Sequence, residues 1–271
     1  MNFGLIIVGD EILSGKRADK HLPKVIELLD QRGLALSWMR LVGDDPARIR
    51  ADLEDAFASG DVVFCCGGIG ATPDDHTRQC AAAALGVPLA LHPQGRDFIV
   101  ERMKEQAAEQ GKPFEPDRED NRHRLEMAVF PAGAEIIPNP YNKIAGFFVR
   151  SGTGGEAGVF FVPGFPVMAW PMIEWVLDTH CAHLHAARRV RERSVIVQGA
   201  MEATLTPLMQ AIEAEFAGVK VFSLPSVDHP EYGRHIELGV KGEERSLVDA
   251  YARLREGLAS LGAVVGPEMV R

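Results

Sequence analysis

The sequence predicts an α/β protein in which a doubly wound, mostly parallel sheet carries helices on both faces and is followed by a smaller α+β domain. In the first third of the chain, short and continuously apolar segments alternate with longer amphipathic ones, which is typical of βαβ units. The pattern changes near residue 190, where strand-like segments begin to follow one another. A chain of 271 residues has room for two such domains.

Three predicted strands of the first domain are short, apolar and rich in β-branched residues, as buried parallel strands are. They span residues 3–9, 34–43 and 61–66. The helices that alternate with them are predicted from apolar spacing and from terminal signals, and they span residues 19–33, 45–60 and 72–86. In the second of these helices, Asp45 is the predicted N-cap and Pro46 the first helical residue.

The rest of the first domain mixes a helix, a loop and broken strands. Residues 95–124 are predicted to form a helix followed by a polar, charged loop. Three strand-like segments interrupted by Gly and Pro follow within residues 127–164. An apolar helix over residues 165–184 closes this domain, which we expect to span residues 1–184.

Residues 190–271 form the second predicted domain. Its segments follow the order strand, helix, strand, strand, helix, strand, which is the order of a split-βαβ, ferredoxin-like sandwich. We interpret this domain as a packing or oligomerisation module.

The charge balance argues against polyanionic partners. The net charge is −9, so no basic excess exists to neutralise nucleic acid or an anionic membrane surface. The densest basic cluster, residues 185–194, is short, and we interpret it as a linker helix with solvated arginines. No apolar stretch approaches the ~18 residues of a membrane helix, and the N-terminal segment does not resemble a signal peptide. We therefore expect a cytoplasmic protein with neither a nucleic-acid nor a membrane partner.

The spacing of the cysteines and histidines gives little indication of a catalytic or metal-binding motif. Cys65 and Cys66 are adjacent in a predicted strand and no CxxC pair occurs, so we interpret them as small buried residues in a reducing compartment. His180, His183 and His185 cluster near a helix end, where they either stabilise the helix through its dipole or bind a metal. No P-loop or nucleophilic-serine motif occurs.

Acidic residues follow each of the first three predicted strands. Asp10 and Asp44 come directly after two of them, and Asp75 comes after the third, beyond a glycine turn. Because ligands bind at the carboxyl ends of such strands, these acids are expected at one edge of the sheet, where they repel one another unless a cation compensates. We therefore predict that Asp44, Asp75 and Asp10 hold a divalent metal, with Mg²⁺ expected first and Mn²⁺ or Co²⁺ as alternatives.

The glycine-rich segment after the third strand is a predicted phosphate cradle, because glycines let backbone N–H groups approach an anion closely. Its glycines are Gly67, Gly68 and Gly70. Thr72 and Asp74 lie beside them and are counted as ligand-binding candidates. The competing interpretation is a helix start, with Thr72 as N-cap, Pro73 at the first position and acids in the first turn. We favour the helix start for Asp74 and the functional role for Asp75.

Five segments occur in order within residues 1–178: GDEILSGKRADKHLP, LVGDDPARI, CCGGIGATPDDHT, EMAVFPAGAEIIPNP and FFVPGFP. They resemble the motif blocks of the molybdopterin-binding domain that MoaB/MogA-type cofactor proteins share with the N-terminal region of the competence/damage-inducible CinA family. The second domain resembles the KH-like middle domain of CinA proteins. The resemblance implies an α/β fold that oligomerises, a pocket for a phosphorylated pterin or a nucleotide, and dependence on a Mg²⁺-type metal.

The resemblance also implies roles for particular residues. Asp44 and Asp75 match acids tied to metal binding and catalysis, and Asp10 and the three glycines match the pocket floor. Pro163 and Gly164 match the proline-glycine turn on the pocket rim. Asn139 matches an asparagine that follows a strand.

The sequence departs from the family's pattern at several positions. Cys66 stands where CinA-like proteins usually have Thr, Ala71 stands for Pro, and His21 stands for an expected Asn. The GTAPG loop of the family is reduced to NKIAG at residues 142–146, and no acid follows the Pro163–Gly164 turn. Within this loop, Lys143 either contacts a phosphate or is a solvated surface lysine.

These observations lead to one favoured function and two alternatives. We favour metal-dependent binding of a nucleotide or pterin phosphate with hydrolysis of a pyrophosphate bond, because the resemblance to CinA-like proteins implies ADP-ribose-like or FAD-like substrates. The first alternative is a non-catalytic protein that binds molybdopterin or a related pterin. The second is a MogA-like adenylyl transferase of molybdenum-cofactor biosynthesis. We expect a homo-oligomer.

Overall fold

A six-stranded sheet forms the centre of the first of two units. The computed structural model describes residues 2–151, 157–185 and 190–271, and the chain divides into the units Met1–His185 and Ala186–Arg271. The strands of the first unit are β1 (Phe3–Val8), β2 (Leu36–Val42), β3 (Val62–Cys66), β4 (Leu89–Leu91), β5 (Val129–Pro131), β6 (Glu135–Ile137), β7 (Gly146–Arg150) and β8 (Gly158–Val162).

The main sheet has the strand order β2-β1-β3-β8-β7-β6, and β4 pairs with β5 in a separate antiparallel ribbon. The first four strands in this order run parallel. Strand β7 is antiparallel to β8, and β6 is antiparallel to β7. The predicted fold class, a mostly parallel sheet followed by a smaller α+β domain, is confirmed.

Seven helices are described in the first unit. They are α1 (Asp10–Leu13), α2 (His21–Asp30), α3 (Pro46–Ser59), α4 (Thr77–Leu85), α5 (Pro93–Glu109), α6 (Glu119–Leu125) and α7 (Pro166–Thr179). Two of them were not predicted. Helix α1 is a single turn, too short for an apolar period. Helix α6 lies in the segment predicted as a polar loop, and it has acids in its first turn and bases in its last, which suit the helix dipole.

The helix predicted over residues 72–86 begins later than expected, at Thr77. Residues 72–75 instead form a closed turn, in which the Asp75 N–H donates to the Thr72 carbonyl (3.0 Å). The interpretation of Thr72 as the N-cap, with Asp74 in the first helical turn, is therefore wrong. The predicted cap of α3 is confirmed, since the Asp45 carboxylate accepts from the N–H groups two and three residues ahead.

Phenylalanine rings fill both faces of the main sheet. Phe147 stacks between Phe130 and Phe161 at centroid distances of 4.6 and 4.4 Å, on the face covered by α3 and α4. Phe148 and Phe160 stack at 4.6 Å on the face covered by α2 and α7. Neighbouring residues of a strand point to opposite faces, so each Phe-Phe pair in β7 and β8 supplies both cores. Because both faces of the sheet are packed, the ends of the strands are the part of the sheet that a ligand can reach.

The second unit has the predicted connectivity. Its elements are β9 (Val190–Gln198), α8 (Glu202–Glu215), β10 (Lys220–His229), β11 (Gly233–Glu243), α9 (Glu244–Ser260) and β12 (Val264–Val270). The strands form an antiparallel sheet of order β10-β11-β9-β12. Buried residues of β9, β11, α8 and α9 form its core.

The predicted linker helix over residues 185–194 is wrong where the structure describes it. Residues 186–189 lie outside the described residues, and residues 190–194 belong to β9. Strand β9 hydrogen-bonds to β11 on one side and to β12 on the other. Those two ladders outweigh the helical preference of its Arg and Glu residues.

No helix in the described part of the chain is long and apolar enough to cross a membrane. All four cysteines are buried, and Cys65, Cys66 and Cys80 are free thiols, as interpreted for Cys65 and Cys66. Burial raises the pKa of the Cys66 thiol, so this side chain behaves as a small apolar one.

We predict that Phe147→Ala lowers the free energy of unfolding of the first unit by about 3–5 kcal/mol, because it empties the middle of a stacked aromatic row. All three tryptophans, Trp38, Trp170 and Trp175, lie in this unit. Urea unfolding followed by tryptophan fluorescence therefore reports on it selectively.

The matched control is Tyr141→Ala, because this aromatic side chain is 62% exposed. It should change the free energy of unfolding by no more than about 0.5 kcal/mol. Equal effects of the two substitutions would contradict the packing described for Phe147.

Candidate functional site

A cleft of about 540 Å³ opens at the carboxyl ends of β1, β2, β3 and β8. Residues predicted for the site line it as follows: Asp44, Gly67, Gly68, Gly70, Thr72, Asp74, Asp75, Pro163 and Gly164. Two further predicted residues, Asp10 and Asn139, are not in its lining. Parallel strands end at the same edge of a sheet, which explains why segments so distant in sequence meet here. The roles of these residues stay predictions.

The glycine turn, residues 67–70, packs directly on the end of β1. Gly67 and Gly68 have φ angles of 107° and 68°, which residues with a side chain rarely adopt. A Cβ on Gly67 would also collide with the carbonyl oxygen of Val8. Within the described chain, four successive N–H groups of cleft-lining residues find no acceptor: those of Gly68, Ile69, Gly70 and Ala71. Such a row of free donors is suited to an anion.

Helix α4 holds the glycine turn in place from behind. The Thr77 hydroxyl donates to the Gly67 carbonyl (3.0 Å), and the Thr77 N–H donates to the Gly68 carbonyl (3.0 Å). The buried Arg78 guanidinium donates to the Gly70 carbonyl (2.6 Å) and to the carbonyls of Glu126 and Val129. Arg78 thus ties the turn to the start of β5 and to the residues just before it, a role that sequence reasoning missed.

Asp75 is fixed by Thr72 through one of its carboxylate oxygens. Oδ2 of Asp75 accepts from the Thr72 N–H (2.8 Å) and from the Thr72 hydroxyl (2.5 Å). A Cβ on Gly70 would come within 2.5 Å of the same oxygen, so this glycine makes room for the carboxylate. Oδ1 of Asp75 accepts no hydrogen bond from a described residue, and it is therefore free for a ligand or a water molecule.

Asp44 and Asp10 are joined by two reciprocal hydrogen bonds. The Asp10 N–H donates to Oδ2 of Asp44 (3.0 Å), and the Asp44 N–H donates to Oδ1 of Asp10 (3.2 Å). Partial burial, together with the nearby carboxylates of Asp10, Glu11 and Asp74, raises the pKa of Asp44. The fold therefore concentrates negative charge at this end of the cleft, although placing carboxylates close together is unfavourable.

The metal-binding role predicted for Asp10, Asp44 and Asp75 stays a prediction. The described residues contain no group of three or more His, Cys, Asp or Glu side chains placed to hold a metal ion, and the Asp10 carboxylate is bonded to the backbone instead. Asp44 and Asp75 both line the cleft. Because Mg²⁺ commonly takes one or two carboxylates together with phosphate and water oxygens, these two residues fit a Mg²⁺ ion that arrives with a phosphorylated ligand.

The loop before β7 is held by Asn139 and Lys143. The Asn139 amide donates to Oδ1 of Asn142 (2.8 Å) and to the Ile144 carbonyl (2.9 Å), so it shapes the loop from outside the cleft. Lys143 has a left-handed φ of 63° and forms ion pairs with Glu101 (2.8 Å) and Glu105 of α5. Lys143 is therefore a surface lysine held in ion pairs, and it does not line the cleft.

The histidines near the end of α7 are placed by packing. The His180 ring packs edge-on against Phe148 (4.9 Å between centroids) and Trp175 (5.3 Å). His185 Nε2 donates to the Leu177 carbonyl (2.8 Å). Together with the lack of a metal-binding group among the described residues, these contacts favour the structural interpretation of the cluster.

Sequence reasoning also missed residues that border the cleft. Arg17 is the one cation that lines it within the described chain, but nothing local distinguishes it from its neighbour Lys16. Phe165 follows the rim turn and lines the cleft with 56% of its surface exposed. The buried His21, noted as a departure from the family, donates from Nε2 to the Gly164 carbonyl (2.9 Å), so it anchors the rim turn to α2.

Fold and cleft together define a class of protein: a doubly wound α/β domain with a small-molecule cleft at the carboxyl edge of its sheet. A family profile described as "Probable molybdopterin binding domain" matches residues 4–183. The chain therefore belongs to this molybdopterin-binding domain family, and the predicted resemblance is confirmed.

Individual proteins show the same relationship. A CinA-like protein of Anaeromyxobacter sp. (strain K) is 36% identical over 178 residues, which are 65% of this chain and 40% of that protein. A CinA-like protein of Geobacter metallireducens is 28% identical over 275 residues, covering all of this chain and 61% of that protein. The chain thus spans less than two thirds of the length of these relatives.

One solved structure supports the fold. The CinA protein of Thermoplasma acidophilum superimposes with a TM-score of 0.53 at 24% sequence identity, covering 66% of this chain and 98% of that one. The likeness supports the architecture described for the first unit.

We predict that Asp44→Asn stabilises the first unit at pH 7. A raised carboxyl pKa favours folding only below the pKa of the unfolded chain, about 4, and this contribution is lost as the pH rises through the folded value. The ionised Asp44 is therefore destabilising at neutral pH. Asparagine removes its charge and keeps an oxygen for the Asp10 N–H, so the free energy of unfolding should rise by up to about 1 kcal/mol.

Tryptophan-monitored urea unfolding at pH 7 and pH 4 measures this effect. The gain should shrink as the pH falls toward 4, because the raised pKa lets folded Asp44 bind a proton at a higher pH than an ordinary aspartate does. Asp97→Asn is the control, because this side chain is 71% exposed on α5 and lies outside the cleft. If Asp44→Asn destabilises the unit at both pH values, the ionised Asp44 carboxylate is not destabilising in the folded unit.

Proposed function

We propose that the first unit binds a nucleotide or a related pterin phosphate and hydrolyses its pyrophosphate bond with the help of a divalent metal ion. The observation that supports this most is the row of four free N–H groups in a cleft that also holds Asp44 and Asp75. Free donors suit phosphate oxygens, and carboxylates beside them suit the cation that accompanies a pyrophosphate. Membership of the molybdopterin-binding domain family supports a phosphorylated small molecule as the ligand.

In this proposal the glycine turn binds one phosphate and Asp75 activates the attacking water. Thr72 holds Oδ2 of Asp75, which leaves Oδ1 to accept a proton from that water. Water adds to one phosphorus atom, the bond from that atom to the bridging oxygen breaks, and two phosphate products result. Asp44 would hold the metal directly and Asp75 would reach it through the water that it activates; when bound, the metal neutralises phosphate charge and polarises the phosphoryl group.

Arg17 addresses a difficulty that the acidic cleft raises for an anionic substrate. Glu11, Asp44, Asp74 and Asp75 all line the cleft and would repel a pyrophosphate. Arg17 forms no ion pair with a described residue, so its guanidinium is available. Its backbone is anchored, because the Arg17 N–H donates to the Glu11 carbonyl (3.0 Å). We assign it the distal phosphate.

A non-catalytic pterin-binding protein is the second candidate. It is favoured by the lack of a three-ligand metal group among the described residues. Incubation with ADP-ribose, FAD and ATP, with and without Mg²⁺, Mn²⁺ or Co²⁺, separates the two, since only the hydrolase releases AMP or phosphate. Transfer of adenylate from ATP to molybdopterin would instead identify an adenylyl transferase. A cytoplasmic location and a homo-oligomeric state remain predictions from the sequence.

We predict that Asp75→Asn lowers kcat for pyrophosphate cleavage by at least about a hundredfold, because a general base contributes that much or more. Asparagine keeps an oxygen for the Thr72 N–H, so the fold should persist in circular dichroism. Asp97→Asn serves again as the matched control and should retain full activity. Retained turnover in a folded Asp75→Asn variant would remove Asp75 from the mechanism.

We predict that Arg17→Ala raises KM for a pyrophosphate substrate by about tenfold, which corresponds to a lost charge-assisted hydrogen bond. The kcat value should change little. Lys16→Ala removes the same charge from the adjacent residue, which does not line the cleft, and it tests for general electrostatic effects. An equal rise in KM for both variants would show that Arg17 makes no specific contact.

A further inference from the structure

The cleft changes character along the strand order of the sheet. On the β2 and β1 side it is lined by Asp44 and Glu11, and in the middle by the glycine turn after β3. On the β8 and β7 side its lining includes Ile144, Phe165 and Met168, which we name the apolar wall. Strands lie about 4.8 Å apart, so the apolar wall stands roughly 10 Å or more from the acidic side.

Phe165 is the exposed member of this wall. Its side chain is 56% exposed, whereas the phenylalanines of β7 and β8 are fully buried. No ring or cation contact involves it among the described residues. An exposed, unpartnered aromatic ring inside a cleft is an uncommon use of a large apolar side chain, and such rings often mark a binding site.

The backbone around Phe165 is held firmly. The Phe165 carbonyl accepts from the N–H groups of Met168 and Ala169 (both 2.9 Å) at the start of α7. The preceding Gly164 carbonyl accepts from the buried His21. The Met168 sulfur accepts from the Asn142 amide (3.2 Å), which joins the two loops of the wall. The ring is therefore presented from a fixed position.

We propose that Phe165 is a stacking platform for a flat heteroaromatic ring, and that the cleft selects phosphate esters that carry such a ring over those that do not. This inference rests on the proposed function only for the phosphate, which the glycine turn holds between the two sides. A ring attached to that phosphate through a sugar or a short chain reaches toward β8. The apolar wall then covers the ring, and Phe165 stacks on it.

Binding measurements without turnover test this proposal. Isothermal titration calorimetry of the full chain with AMP and with ribose 5-phosphate compares the same phosphate and sugar with and without a ring. The wild type should bind AMP about tenfold more tightly, because one base–aromatic stack typically contributes about that much. Phe165→Ala should remove this preference and leave ribose 5-phosphate binding unchanged, and Phe165→Trp should keep it.

Val167→Ala is the matched control, because Val167 is similarly exposed at 53% but does not line the cleft. It should behave as the wild type. Equal affinities of the wild type for the two ligands, no AMP binding, or an unchanged AMP preference in Phe165→Ala would overturn the stacking proposal. Hydrolysis of ADP-ribose is scored separately, so a ring preference without turnover would refute the hydrolase and leave the stacking role standing.

Discussion

The close approach of the Gly67 backbone to the end of β1 is the constraint on which the cleft depends. No side chain fits between Gly67 and the Val8 carbonyl, so the turn after β3 packs directly against the end of β1. Thr77 and Arg78 then donate to three carbonyl groups of the turn, those of Gly67, Gly68 and Gly70. Because the carbonyls face α4, the N–H groups of the same turn are left for whatever enters the cleft. The glycines thus determine which backbone groups are left for a ligand, as well as the shape of the turn.

The charges of the cleft follow from the same topology. Parallel strands deliver the residues that follow them to one edge, and in this chain those residues are acids. Burial, together with the neighbouring carboxylates, raises the pKa of Asp44, so its ionised form is unfavourable in the cleft. A protein selected for stability alone would place uncharged residues there. Strain of this kind is common where a site is built to receive a compensating ligand.

Much of this arrangement could be predicted from the sequence, because it depends on local signals. Apolar runs, helix caps and glycines located β1 to β3, the N-cap Asp45 and the glycine turn. The sequence could not show that Arg17 and Phe165 line the cleft or that Arg78 holds the glycine turn, since each depends on how segments distant in the chain come together. The closed turn over residues 72–75 was mistaken for a helix start because a threonine followed by an acid three residues later suits both. The hydrogen bond from the Thr77 N–H to the Gly68 carbonyl, which the sequence does not show, distinguishes the closed turn from a helix start at Thr72.

The tether between Lys143 and α5 gives the loop of the apolar wall an unusual support. The left-handed backbone of Lys143 is costly for a residue with a Cβ, and the ion pairs with Glu101 and Glu105 that offset this cost are partly exposed. Dissolved electrolyte screens such pairs. Concentrated salt will therefore loosen the segment that carries Ile144, while the buried guanidinium of Arg78 still holds the glycine turn in the middle of the cleft. A change in ionic strength should thus alter the width of the cleft at the apolar wall and not at the glycine turn.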